Sequence, residues 1–145
     1  MRATKQRGSS IVEFALGATL LVTVAGGVFQ FGWSLLLYNS LLTSVTNAAV
    51  LGAQRSYDRG SPTAFKDDVK NMVIYADLTS RSARVAPSLE ASHVSVTLTP
   101  TDFPQYLTVS ITGYPLSTLF RRITLTNKPR VTVPFTGTVT CSTGC

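Results

Sequence analysis

RGSSIVEFALGATLLVTVAGGVFQFGWSLLLY, residues 7–38, carries a single acid, Glu13, which is also the only charge between Arg7 and Arg55. After Glu13 the apolar run is broken only by Gly, Ser, Thr and Gln30. The 25 residues from Phe14 to Tyr38 extend roughly 37 Å as a helix, enough to cross a hydrocarbon layer of about 30 Å with some tilt. The Leu, Val and Phe residues of this stretch contribute on the order of −4 to −7 kcal/mol to insertion, which outweighs one acid near the end even at the ~3 kcal/mol expected at midplane. Three cations, Arg2, Lys5 and Arg7, precede the span. They orient the chain with its N-terminus in the cytoplasm and its C-terminal region across the membrane.

A secretory signal peptide also begins basic and then apolar. Its apolar region, however, is about 7 to 15 residues without an acid and ends in a small-residue cleavage site, whereas this run is longer and opens with Glu13. A plain signal anchor, in which Gly8 and Glu13 carry no meaning, is the other reading of the span.

Arg7-Gly8-Ser9-Ser10-Ile11-Val12-Glu13-Phe14-Ala15-Leu16 resembles the start of type IV pilin-like precursors, most closely the TadE-like minor pilins (pseudopilins) of tight-adherence pili. The likeness continues through Tyr38-Asn39 and Asn47-Ala48-Ala49 to Gly52-Ala53, about the first third of the chain. The resemblance implies that a prepilin peptidase cuts between Gly8 and Ser9 and removes a leader, residues 1–8, that carries Arg2, Lys5 and Arg7. It makes Glu13, the fifth residue of the processed chain, and the aromatic Phe14 after it the assembly residues. The implied partners are the peptidase, other pilin and pseudopilin subunits, an inner-membrane assembly platform and the lipid bilayer. The implied location is the bacterial inner membrane, with the C-terminal domain periplasmic or carried into an extracellular pilus. Ser9 stands where many type IV pilins begin with Phe, and Val50 where TadE-like chains often have Arg.

The chemistry of Glu13 follows from the medium around it. A carboxylate in a membrane or filament core is stabilised by meeting a cation, and cleavage before Ser9 would release one in the α-amino group. That amine belongs either to the same chain, four residues away on a helix, or to a neighbouring subunit, where pairing would set axial register. The resemblance favours the neighbour.

Beyond the span, Leu37, Leu41, Val45, Ala48 and Leu51 recur at spacings of three and four, so the helix is expected to continue toward Arg55 as an amphipathic stem. Its other face carries Asn39, Thr43, Thr46, Asn47 and Gln54. The run from Tyr57 to Pro62 reads as a loop. Ser61 and Pro62 then open a second helix whose apolar stripe is Phe65, Val69, Met72, Val73 and Ala76. From Ser92 onward the period becomes two. Val94-Val96-Leu98, Leu107-Val109-Ile111 and Val131-Val133-Phe135 alternate with polar residues and predict three antiparallel strands, with Pro134 placing the last at an edge or bulge. Tyr114 to Phe120 reads as a turn with a short helical or hydrophobic tether. The fold class is α+β: a long N-terminal transmembrane helix continuing as a stem packed on a small antiparallel sheet, with one short extra helix. The expected divisions are a leader (1–8), a transmembrane and stem helix (9–57) and a non-cytoplasmic globular domain (58–145).

Cys141 and Cys145 are the only cysteines, both beyond the membrane, and are expected to form a disulfide that clips the C-terminal end. Two thiols and the lone His93 fall short of a four-ligand zinc set, so no metal or other cofactor is expected. His93 reads as a surface residue at strand entry. No phosphate loop, metal-spaced His pair or nucleophile with an identifiable base is present in the pattern, so the chain reads as non-enzymatic. Of the formal charge of +6, three units belong to the leader, leaving +3 on the residues after Gly8. Arg121, Arg122, Lys128 and Arg130 cluster around one loop. Without an aromatic stacking motif beside them they do not make a nucleic-acid footprint. The reading from another class is an unprocessed, single-pass signal-anchored envelope protein whose sheet domain binds a ligand or partner.

Overall fold

The computed structural model describes residues 6–76, 83–117 and 122–142, with the backbone alone at 6–8 and 117. The chain divides into two units, residues 1–35 and 36–145.

A single helix, α1 (Gln6–Ala53), supplies all the described structure of the first unit. The chain has no proline before Pro62, so nothing removes an amide donor from the helical ladder. Apolar side chains lie all round this part of α1, and the exposed ones include Ile11, Phe14, Leu20, Val24 and Phe29. A helix that is apolar on every face, with none of it buried against its own chain, is built for lipid or for other helices.

In the second unit α1 becomes one-sided. Leu41, Val45, Ala48, Ala49 and Ala53 are buried, and Leu37 packs against them. Leu51, expected in this stripe, is instead half exposed, and Gly52 takes the inward position. The reason is closeness of approach. A Cβ at Gly52 would lie 2.9 Å from Val69 Cγ2 and 3.1 Å from Leu107 Cδ2, so only the smallest residues fit where α1 meets its neighbours. About two turns earlier, the buried Ser44 hydroxyl donates to the Val73 carbonyl.

β1 (Tyr57–Asp58) and α2 (Pro62–Tyr75) follow. Ser61 is the N-cap and Pro62 the first helical residue, as expected, although the Ser61 side chain makes no capping bond. Phe65, Val69, Met72 and Val73 are buried as predicted, together with Ile74. Ala76 leaves the expected stripe. It is the exposed C-cap, left-handed at φ 53°, and its N–H donates to the Met72 carbonyl. On the outside of α2, Asp68 pairs with Arg55 at 3.2 Å and Asp67 with Lys70 at 3.7 Å.

A short 3-10 turn (Ala91–His93) leads into β2 (Val94–Thr99), followed by β3 (Tyr106–Ile111), β4 (Pro115–Ser117), β5 (Arg122–Thr124), β6 (Arg130–Pro134) and β7 (Val139–Thr140). The three expected strands form an antiparallel sheet in the order β2-β3-β6, with Pro134 on an edge strand. Val94, Val96, Leu98, Leu107, Val109 and Ile111 line its inner face and join the α1 and α2 stripes in one core. The α+β expectation therefore holds. The alternation decided it, because each strand keeps one face for the core.

Two local expectations are corrected. The Tyr114–Phe120 tether contains β4, which pairs with β5 in an antiparallel hairpin; Thr118, Leu119 and Phe120 lie outside the described residues. The loop beginning at Tyr57 contains β1, which pairs in parallel with β7. Two residues are too few to show alternation, and their partner lies some eighty positions away, so nothing local announced them. What holds them is the aromatic trio Tyr57, Phe65 and Phe135, whose edge-to-face centroids are 5.4 to 6.5 Å apart.

This C-terminal run also closes the end of α1. The Ala53 carbonyl accepts the Thr136 N–H at 2.9 Å and the Gly137 N–H at 2.8 Å. That carbonyl would otherwise be an orphan acceptor at a helix end. Asp58 then accepts the Gly60 N–H at 2.9 Å, the Ser142 N–H at 3.1 Å and the Ser142 hydroxyl. A Cβ at Gly137 would lie 1.8 Å from the Arg55 carbonyl oxygen. Gly137→Ala is thus expected to destabilise the domain by about 2 to 4 kcal/mol, read as a lowered unfolding midpoint, because backbone rather than a flexible side chain stands in the way. The Ser142 hydroxyl, then the Gly60 and Ser142 amides, hold the Asp58 carboxyl below its ordinary 3.8. A lowered folded value means the clasp contributes fully above about pH 4 and loses its contribution as pH falls through the folded value. Thermal unfolding across pH 2 to 6 should show that loss in the native chain and a shallower dependence in Asp58→Ala.

Candidate functional site at the amino-terminal helix

The residues singled out by sequence fall at the start of α1. Arg2 and Lys5 lie outside the described residues. Arg7 and Gly8 are helical, within the first turn of α1. Ser9, Glu13 and Phe14 are exposed, with Phe14 at 77%. Ser9 and Glu13 are four residues apart on one helix, hence on the same face and about 6 Å apart along the axis. A new amine at Ser9 and the Glu13 carboxylate would therefore share one face of α1, and an exposed acid there is equally open to a cation from another chain.

The polar side chains farther along the span are engaged locally. The Thr19 hydroxyl donates to the Ala15 carbonyl, Thr23 to Thr19 and Ser34 to Gln30, all at 2.8 to 2.9 Å. Such bonds to the preceding turn satisfy a hydroxyl that lipid could not. Gly17, Gly26, Gly27 and Gly32 have nothing within 4 Å of where a Cβ would stand. Their smallness answers no contact inside the described chain.

At the far end of the sequence, Cys141 is disulfide-bonded; Cys145, the only other cysteine, lies outside the described residues. Next to Cys141, Ser142 is the residue that Asp58 grips. Sequence reasoning missed this grip, since neither an isolated Asp nor a Ser near the terminus carries a pattern. His93 is half buried at the entry to β2. Its Nδ1 accepts the Glu90 N–H at 3.2 Å, and its ring meets Tyr114 edge-on at 5.8 Å. These are contacts of a structural residue. The Tyr114 hydroxyl donates to the Pro87 carbonyl at 2.8 Å, and burial raises its pKa above the ordinary 10.0.

A helix of this composition holds the chain in a membrane by its apolar surface alone, with Glu13 tolerated near one end. Replacing Leu21 and Val22 together by Arg adds about 5 to 7 kcal/mol to insertion at the middle of the span. The double variant should lose resistance to carbonate extraction, whereas Glu13→Ala should keep it.

Residues 8–50 match the family model described as TadE-like protein. This segment begins at Gly8 and contains Glu13, the whole apolar span and the start of the one-sided stem, so the recognition made from sequence is borne out there. No curated protein matches the chain, and no solved structure does.

Proposed function

From the premise that this chain is a TadE-like, membrane-anchored protein of tight-adherence pili, we propose that it is a minor pilin or pseudopilin cut by a prepilin peptidase between Gly8 and Ser9. The processed chain is a non-enzymatic subunit. It enters a tight-adherence pilus or its inner-membrane assembly platform through α1.

The observation that carries this reading is the exposed Glu13 at the head of a helix that is otherwise without charge as far as Arg55. An anion in such a place is stabilised by a cation brought to it. Ser9, exposed one turn away, is where proteolysis would create one. If the amine comes from a neighbouring chain, the pair fixes the step between adjacent helices, and the apolar residues around it exclude water from the contact. The leader cations Arg2, Lys5 and Arg7 are left behind in the cytoplasm, where they have already oriented insertion.

Two measurements bear on this. Mass analysis of material from cells that contain the peptidase should give a chain beginning at Ser9. An intact Met1 there would favour the signal-anchored alternative. Glu13→Ala should be inserted and cut normally yet be absent from sheared pili and from crosslinked assembly complexes. Normal incorporation of that variant would remove the role assigned to the carboxylate.

A further inference from the structure

The face of the β2-β3-β6 sheet that turns away from the core is made of hydroxyls. Register places Ser95, Ser110 and Arg130 in one row, Thr97, Thr108 and Thr132 in the next, and Thr99, Tyr106 and Pro134 in the third. Ser95, Thr97, Arg130 and Thr132 on the outer strands are exposed, while Thr108 and Ser110 on the middle strand are 9% and 5% exposed. The result is a polar face open along its outer strands. Its middle row is already ordered: Thr108 and Thr132 share a hydroxyl–hydroxyl bond at 2.9 Å, and Thr97 donates to the Thr108 carbonyl at 3.5 Å.

The charge around this face is mostly positive. After Glu90 the sequence contains one acid, Asp102, and four cations. Asp102 sits in the β2–β3 connection, at the Tyr106 end of the face. At the other end Arg130 is exposed, and so is Lys128, whose N–H donates to the Ile111 carbonyl beside it. Arg122 on β5 is exposed as well, whereas Arg121 lies outside the described residues. Among the described residues neither Arg130 nor Lys128 has an acid within ion-pair distance; the pairs found are Arg55–Asp68 and Lys70–Asp67. Tyr106 closes the opposite end with half its surface open.

We propose that this face binds an acidic polysaccharide of the polyuronate class. Sugar carboxylates meet Lys128 and Arg130 through charge-assisted bonds. Sugar hydroxyls meet the exposed Ser95, Thr97 and Thr132, which offer both donors and acceptors, and Tyr106 gives a flat apolar surface for one ring. The three rows span about 14 Å along the strands, room for a short run of sugars. A single aromatic is too little for stacking a nucleic-acid strand. A face of hydroxyls also lacks the apolar residues that would enter a bilayer.

The test uses the full chain in phosphatidylcholine nanodiscs, titrated with polygalacturonate, dextran, duplex DNA and phosphatidylglycerol vesicles. Polygalacturonate should bind saturably and more tightly than the other three. Arg130→Glu and Thr132→Glu should each weaken it about tenfold or more. Lys66→Glu, an equal charge change on α2, should stay within about twofold. Unfolding midpoints establish that each variant is folded, and Lys128→Glu replaces any that is not. Absence of polygalacturonate binding, preference for DNA or vesicles, or an equal loss in Lys66→Glu would each overturn the assignment. None of these outcomes depends on whether the chain is cut after Gly8 or enters a pilus.

Discussion

Hydrocarbon offers a peptide group nothing to bond with, and that constraint governs the apolar N-terminal part of this chain. It requires an unbroken helix, hence the absence of proline before Pro62. It also requires local partners for the hydroxyls, which Thr19, Thr23 and Ser34 find in the preceding turn. Under the same constraint Glu13 becomes conspicuous. In water a lone carboxylate on a helix surface needs no explanation; at the head of this span it needs a cation or a way to stay wet.

The same helix meets a different demand after Leu36. There it must bury one face, and the residues that do so shrink toward its end, from Leu41 and Val45 to Ala48, Ala49, Gly52 and Ala53. Small side chains let α1 approach α2 and β3 closely. The short distances at Gly52 show how little room remains. The last carbonyl is then closed by Thr136 and Gly137 from the other end of the sequence. The N-terminal element of this domain is therefore completed by its C-terminal run. Asp58, through Ser142, keeps that run in place.

Sequence legibility followed the length of the pattern. The span, the second helix and the three long strands were readable because each repeats a period over enough residues to exclude the other one. The fold class and the TadE-like segment came with them. Leu51 was misplaced because spacing alone does not tell i+3 from i+4 when both neighbours are small or apolar, and the decision fell to Gly52 through tertiary closeness. β1, β4, β5 and β7 were invisible as strands. Each has two or three residues, and their pairing partners, not their own alternation, define them. Glu13 stood out by chemistry instead of period. Glu13 is legible because its surroundings make a charge expensive, whereas Asp58 makes three hydrogen bonds from a surface where acids are ordinary.

The distribution of charge links these two halves. Acids are confined to Glu13, to the run from Asp58 to Glu90, and to Asp102, while the last part of the chain carries only cations. The apolar span bears one negative charge, Glu13, and the region after it holds an excess of positive charge. A protein so divided presents different chemistry to different neighbours. The helix offers an anion and apolar surface, which suit another helix bearing an amine. The outer sheet offers hydroxyls and unpaired cations, which attract a hydrated, anionic polymer and repel the basic ends of identical domains.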